Sequence, residues 1–152
     1  MSKLTKQPKH KGTPTPQKQP GRSYDPDAWY EMPIRWSFAK IDRDHESWGL
    51  FCNTEQTEQI IDYLASLEQL GSWHQVLSIT SGRNGNTRNH EIQRCDLIKE
   101  AQKRLDELNH REDTFCSVAA GARTRIWGVR SDNVLEIIWL DPNHEVCPSF
   151  KK

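Results

Sequence analysis

The chain has 152 residues, with 21 basic and 21 acidic side chains, and 57 of its residues are apolar when glycine is included. That share is about 37%, below the roughly 45–50% of an ordinary globular domain, so part of the chain is expected to lie outside the fold. No stretch approaches the length of an apolar membrane span, and no apolar signal segment follows the first lysines. We therefore expect a cytoplasmic protein without a membrane partner.

The first 28 residues differ in composition from the rest of the chain. They hold few apolar side chains and five of the eight prolines, so they cannot bury enough surface to offset their ordering entropy. This predicts a disordered, Pro-rich tail over residues 1–28 and a single domain over 29–152. Residues 1–22 contain six basic side chains and no acidic one, whereas the remainder holds 15 basic and 21 acidic. The basic tail is interpreted as an RNA-binding arm, a solvated leader or a contact for a partner protein.

The first elements follow from hydrophobic periodicity. Residues 34–41 alternate apolar and polar side chains, which predicts a first strand. A helix over about 54–70 is predicted by Asn53 or Thr54 as an N-cap and by apolar side chains at helical spacing, namely Ile60, Ile61, Leu64, Leu67 and Leu70. The short apolar run 76–79 is assigned to a loop or a short strand. The Gly- and Asn-rich segment 81–90 is assigned to a loop.

The second half of the domain begins with a helix that ends near Asn109, marked by Leu97, Ile98, Ala101, Leu105 and Leu108. Three β-rich runs follow at 115–120, 124–129 and 134–140. The last of them is almost continuously apolar, as expected for a central strand. This order of elements predicts an α+β fold, in which a small antiparallel sheet has two helices packed on one face.

Candidate functional residues cluster at the ends of these elements. Arg123 and Arg125 are two residues apart at the start of a strand, and His144 and Glu145 follow the last strand. The Gly/Asn segment carries Arg83, Arg88 and His90. Arginine, histidine and carboxylate side chains can cleave RNA without a metal, since they bind phosphate and transfer protons. Exposed strand arginines and a turn histidine remain the alternative interpretation.

The four cysteines give little sign of a metal site. Cys52, Cys95, Cys116 and Cys147 form no CxxC pair, and small buried side chains in a reducing compartment are the simpler interpretation. His144 and Cys147 have a spacing that a metal can use, but the sequence offers no convincing second pair. We expect neither a metal nor a cofactor.

Residues 125–147, from Arg125 through the apolar strand to Cys147, resemble the closing hairpin of the RelE/ParE/YoeB superfamily of bacterial toxins. In that superfamily an arginine opens one strand, and a histidine or arginine follows the last one. The resemblance implies a RelE/ParE-like fold and either ribosome-dependent mRNA cleavage or gyrase poisoning, with a cognate antitoxin as partner. It also implies that Arg125 binds the scissile phosphate, that His144 is a general acid or phosphate ligand, and that Glu145 assists proton transfer.

The sequence thus predicts the toxin of a toxin–antitoxin system, most simply an mRNA endoribonuclease acting on the ribosome. His144 would protonate the leaving oxygen and His90 would act as the base. The RNA backbone would be positioned by Arg83, Arg88, Arg123, Lys151 and Lys152. The alternative is a non-catalytic binding module of the same fold that inhibits a protein such as a topoisomerase, which the negative charge of the folded part favours. Cleavage requires that Arg125 and His144 converge.

Overall fold

The computed structural model describes residues 25–50, 53–80 and 85–148. Within these ranges the strands and helices follow in the order β1 (Arg35–Ser37), α1 (Thr54–Glu68), α2 (Trp73–Leu77), β2 (His90–Gln93), α3 (Lys99–Glu107), β3 (Thr114–Ala119), β4 (Arg125–Ser131) and β5 (Val134–Asp141). The predicted α+β class is confirmed. Most of the predicted tail, residues 1–24, lies outside the described residues.

The described strands form one sheet in the order β1-β5-β4-β3-β2. The four strands from β2 to β5 pair antiparallel, but β1 lies parallel to β5, with Arg35 opposite Val134. The predicted antiparallel sheet is therefore wrong at this edge, and the sheet is mixed. A parallel pair needs a long connection, which most of the domain supplies here. The observed strand β1 is also shorter than the first strand predicted over 34–41.

The sheet buries both of its faces. In β3, Phe115 packs with Leu105 of α3, whereas Cys116 and Val118 pack with the apolar side chains of α1 and α2. The prediction of two helices on one face is therefore wrong, since α1 and α2 cover one face and α3 the other. The almost continuous apolar runs of β3 to β5 are typical of strands that are buried on both sides.

The helix α1 begins where the sequence predicts it. The Asn53 side chain accepts a hydrogen bond from the Gln56 backbone N–H at 2.8 Å, and the Gln56 side chain accepts one from the Asn53 N–H at 3.3 Å. This reciprocal cap satisfies two backbone donors that a helix N-terminus otherwise leaves unpaired. Ile60, Leu64 and Leu67 are buried against the sheet, but Ile61, which the predicted apolar stripe included, is 58% exposed.

The run assigned to a loop or short strand contributes to α2 instead. The Ser72 side chain caps this helix by accepting from the Gln75 N–H, and Trp73 and Val76, three residues apart, are both fully buried. Sequence analysis also missed β2, which begins at His90 within the predicted loop. No described helix combines the length and the apolar character needed to cross a membrane.

Candidate functional site

A cleft of about 700 Å³ opens where β2 and β4 begin and β5 ends. Arg88, His90, Arg125 and His144 all line this cleft, together with Asn86, Thr87, Ile92, Ala122, Cys147 and Pro148. Four of the candidate residues therefore meet, although they come from three separate parts of the sequence. The convergence of Arg125 and His144 that RNA cleavage requires is present.

The two arginines of the cleft are anchored on the same turn, residues 120–124, which connects β3 to β4. Arg125 donates through Nη1 to the carbonyl of Thr124 at 3.0 Å and, at 3.4 Å, to those of Gly121 and Ala122. Arg88 donates through Nη2 to the same Gly121 carbonyl at 2.7 Å. One carbonyl oxygen thus holds two guanidinium groups together, and each keeps further N–H donors for a ligand.

These two guanidinium groups have no carboxylate partner among the described residues. Arg94, Arg104 and Arg130 each form an ion pair with an acidic side chain, whereas within the described part of the chain Arg88 and Arg125 donate to carbonyl groups. Burial lowers the pKa of Arg125, and the charge of Arg88 lowers it further. Like charges held together without an ion-paired carboxylate favour the binding of an anion between them, although the nearby charge of Asp141 opposes the lowering of the Arg125 pKa.

The histidine His144 reaches the cleft from a tight turn. It lies two residues after Pro142 and has a φ of 58°, a left-handed backbone conformation that residues other than glycine rarely adopt. Burial lowers the pKa of His144, the Arg125 and His90 charges lower it as well, and the carboxylate of Asp141 opposes them. Burial and these charges thus favour the neutral imidazole, which can accept a proton.

The segment that carries Arg88 and His90 is fixed by the residue between them. The Asn89 side chain is buried, donates to the Val76 carbonyl at 2.9 Å and accepts from the Ala119 N–H at 2.8 Å. This pair of hydrogen bonds ties the segment to α2 and to the end of β3. The sequence does not single out Asn89, because several asparagines in that segment look alike, and it gives no sign that Gly121 belongs to the site.

Other candidate residues lie elsewhere. Glu145 is exposed and does not line the cleft, and its Oε2 accepts a hydrogen bond from Trp48 Nε1 at 3.3 Å. Arg123 is exposed in the turn before β4 and is likewise not part of the cleft wall. The remaining three candidates, Arg83, Lys151 and Lys152, lie outside the described residues.

A second groove, of about 600 Å³, adjoins the cleft and is acidic. The exposed side of α1 contributes Glu55, Glu58 and Asp62, and Arg88 lines both depressions. Arg88 therefore stands at the boundary between a basic cleft and an acidic groove. This neighbour limits how far an extended polyanion can follow the surface in that direction.

Comparison with known protein families, with curated proteins and with solved structures gives no match for this chain. The resemblance of residues 125–147 to the RelE/ParE/YoeB superfamily therefore stays a prediction.

Proposed function

We propose that the cleft binds the phosphate backbone of RNA and that the protein is a metal-independent endoribonuclease, the toxin of a bacterial toxin–antitoxin system. The observation that carries the proposal is that one cleft is lined by two histidines and by two arginines that form no ion pair with a described residue. Guanidinium groups bind phosphate oxygens through paired hydrogen bonds, and imidazoles transfer protons near neutral pH. The resemblance of the closing hairpin supplies the toxin assignment, with the ribosome and an antitoxin as partners.

The residues of the cleft divide the steps of cleavage between them in this proposal. Arg88 and Arg125 hold the non-bridging oxygens of the scissile phosphate and stabilise the charge that develops on them. The neutral His144 accepts the proton of the ribose 2′-hydroxyl as its oxygen attacks phosphorus. His90 donates a proton to the 5′-oxygen as that bond breaks. The products are a 2′,3′-cyclic phosphate and a free 5′-hydroxyl. The sequence predicts the opposite roles for the two histidines, but the lowered pKa of His144 favours it as the proton acceptor.

Cleavage of a short end-labelled RNA by the purified protein tests this function. We expect products that end in a 2′,3′-cyclic phosphate, and we expect Arg125→Ala and His144→Ala to reduce kcat/KM by about 100-fold or more. Arg43→Ala is a matched control, because Arg43 is exposed and does not line the cleft. Since the proposed activity depends on ribosomes, the assay is run with and without them. Equal rates for the control and the two cleft variants would contradict the proposal.

The second candidate function is binding of a protein partner without cleavage. It is favoured by the acidic groove beside the cleft, because carboxylates on α1 repel a long RNA but not a protein of mixed charge. Expression in bacteria separates the two candidates. Growth arrest that disappears in the Arg125→Ala, His144→Ala double variant, together with cut mRNA in the wild type, supports the ribonuclease. Growth arrest that survives both substitutions, with intact mRNA, supports the binding module.

A further inference from the structure

The buried carboxylate of Asp141 lies at the end of β5, directly before the turn that carries His144. Its side chain is fully buried. Oδ1 accepts a hydrogen bond from the Glu145 N–H at 3.0 Å, and Oδ2 accepts one from the Val146 N–H at 3.0 Å. Each carboxylate oxygen thus binds one of two successive backbone amides, which closes the turn between residues 141 and 146.

That turn needs such a closure, because its conformation is unfavourable by itself. Pro142 fixes one backbone dihedral and offers no N–H, and His144 has φ of 58°. A left-handed conformation costs a residue with a Cβ on the order of 1–2 kcal/mol, so surrounding contacts must maintain it. Hydrogen bonds from amides to an ionised carboxylate are stronger than neutral ones. The two amides that bind Asp141 belong to the two residues that follow His144.

The same residue connects the two halves of the site. Asp141 is the register partner of Arg125 across β4 and β5, so the strand that begins with Arg125 and the strand that leads to His144 are aligned there. Asp141 forms no ion pair with a described residue, and its charge opposes the lowering of the pKa of both Arg125 and His144. Its negative charge therefore acts on the Arg125 guanidinium and on the His144 imidazole.

We propose that Asp141 is a positioning residue, which holds His144 in the cleft by binding the Glu145 and Val146 amides. The effect of Asp141 on catalysis rests on the proposed ribonuclease function, but its effect on the conformation of the turn does not. Asparagine has nearly the same shape but only one acceptor oxygen, so Asp141→Asn leaves one of the two amides facing a donor. His144 is then expected to lose its left-handed conformation, while the side chains of Arg88 and Arg125 keep their positions.

The first test compares Asp141→Asn with Asp132→Asn in the full chain. Asp132 lies in the turn before β5, and this control removes the same charge outside the cleft. NMR backbone shifts and couplings of His144 are expected to leave the positive-φ range only in Asp141→Asn. In RNA cleavage, Asp141→Asn is expected to lower kcat by about 100-fold with little change in KM, because the reacting group is misplaced while the phosphate site remains. Unchanged His144 shifts in folded Asp141→Asn would overturn the proposal.

A double-variant cycle with His144→Gly separates positioning from a general structural role. Glycine adopts positive φ without strain, so the loss of thermal midpoint caused by Asp141→Asn should be smaller in the His144→Gly background. The same loss in both backgrounds would contradict the proposal. If Asp141→Asn alone does not fold, folding of the double variant supports the proposal and its failure to fold overturns it. If the wild type cuts no RNA, only the proposed function fails, since the NMR and stability readouts do not depend on cleavage.

Discussion

At the scale of single residues, the backbone of Gly121 organises the two arginines of the cleft. This residue has φ of 128°, and a Cβ at its position would collide with the amide of Gln59 in α1. Its carbonyl oxygen accepts hydrogen bonds from both Arg88 and Arg125. The position thus requires glycine for its backbone, and that backbone fixes the separation of the two guanidinium groups.

Gly121→Ala is expected to destabilise the protein and to loosen the anion site together. The strained φ should cost about 1–3 kcal/mol, whereas the Gln59 amide is the end of a flexible side chain and can move, and the displaced carbonyl should release both arginines. Urea unfolding measures the first effect, and the affinity for a short RNA measures the second. Gly71→Ala is the control, because its Cβ would also meet only the flexible end of a glutamine side chain but Gly71 does not have a positive φ. Wild-type RNA affinity in Gly121→Ala would show that the turn does not organise the site.

At the scale of elements, the segment between β1 and α1 fastens α3 to the sheet. Asp42 is buried and accepts hydrogen bonds from Arg104 Nε and Nη2, at 2.8 and 2.7 Å, and from Trp139 Nε1 at 3.0 Å. Its own N–H donates to the Ile138 carbonyl at 2.8 Å. Ile138 is the unpaired residue of a bulge opposite β4, so the segment satisfies a group that the sheet leaves free.

Arg104→Ala is expected to cost about 3 kcal/mol in the free energy of unfolding, because it leaves the Asp42 carboxylate buried without its cation. Lys103→Ala, at the exposed neighbouring position of α3, should change this free energy by less than about 0.5 kcal/mol. Chemical denaturation of both variants measures the difference. A loss of equal size in the two variants would show that the ion pair does not hold α3.

The same ion pair makes the stability depend on pH. Burial alone raises the pKa of Asp42, but hydrogen bonds from Arg104 and Trp139 outweigh it and hold that pKa well below its usual range. A carboxyl with a lowered pKa stabilises the folded state fully above its unfolded pKa of about 4, and this contribution is lost as pH falls below it. Acid should therefore cost the wild type more stability than it costs Arg104→Ala.

At the scale of the whole molecule, the balanced charge of 21 basic and 21 acidic residues conceals an uneven distribution. Residues 1–22 carry only basic charges, and the rest of the chain has more acidic than basic residues. The described cleft nevertheless collects two arginines and two histidines, while the neighbouring groove on α1 collects carboxylates. A short or flexible RNA strand suits this arrangement better than a long rigid duplex, because favourable potential extends over only a few phosphates.

The sequence predicts the fold well where the hydrophobic pattern is local. The strands β3 to β5 and the helix α1 lie close to their predicted positions, since alternation, helical spacing and the Asn53 cap are all short-range signals. The parallel pairing of β1 with β5 and the placement of α3 on the second face depend on contacts between distant segments. No short window of sequence contains them.

The candidate site divides in the same way. The sequence predicts four residues that line the cleft, because arginine and histidine side chains bind phosphate and transfer protons and these four lie at the ends of predicted elements. They are Arg88, His90, Arg125 and His144. Asn89, Gly121 and Asp141 could not be predicted, because they act through hydrogen bonds to backbone groups whose positions only the fold defines. The sequence predicts Glu145 as a site residue because it is next to His144. Its side chain instead accepts a hydrogen bond from Trp48, whereas His144 lines the cleft.

RNA phosphate is proposed to bind between the two arginines, beside the two histidines. NMR titration of the full chain with a short RNA methylated at every 2′-oxygen tests it most directly, because this RNA binds but has no 2′-hydroxyl to react. We predict saturable shifts of the His90 and His144 imidazole signals, and their loss in the Arg88→Ala, Arg125→Ala double variant. RNA that binds with equal affinity to both proteins and leaves the two histidine signals unmoved would contradict the claim.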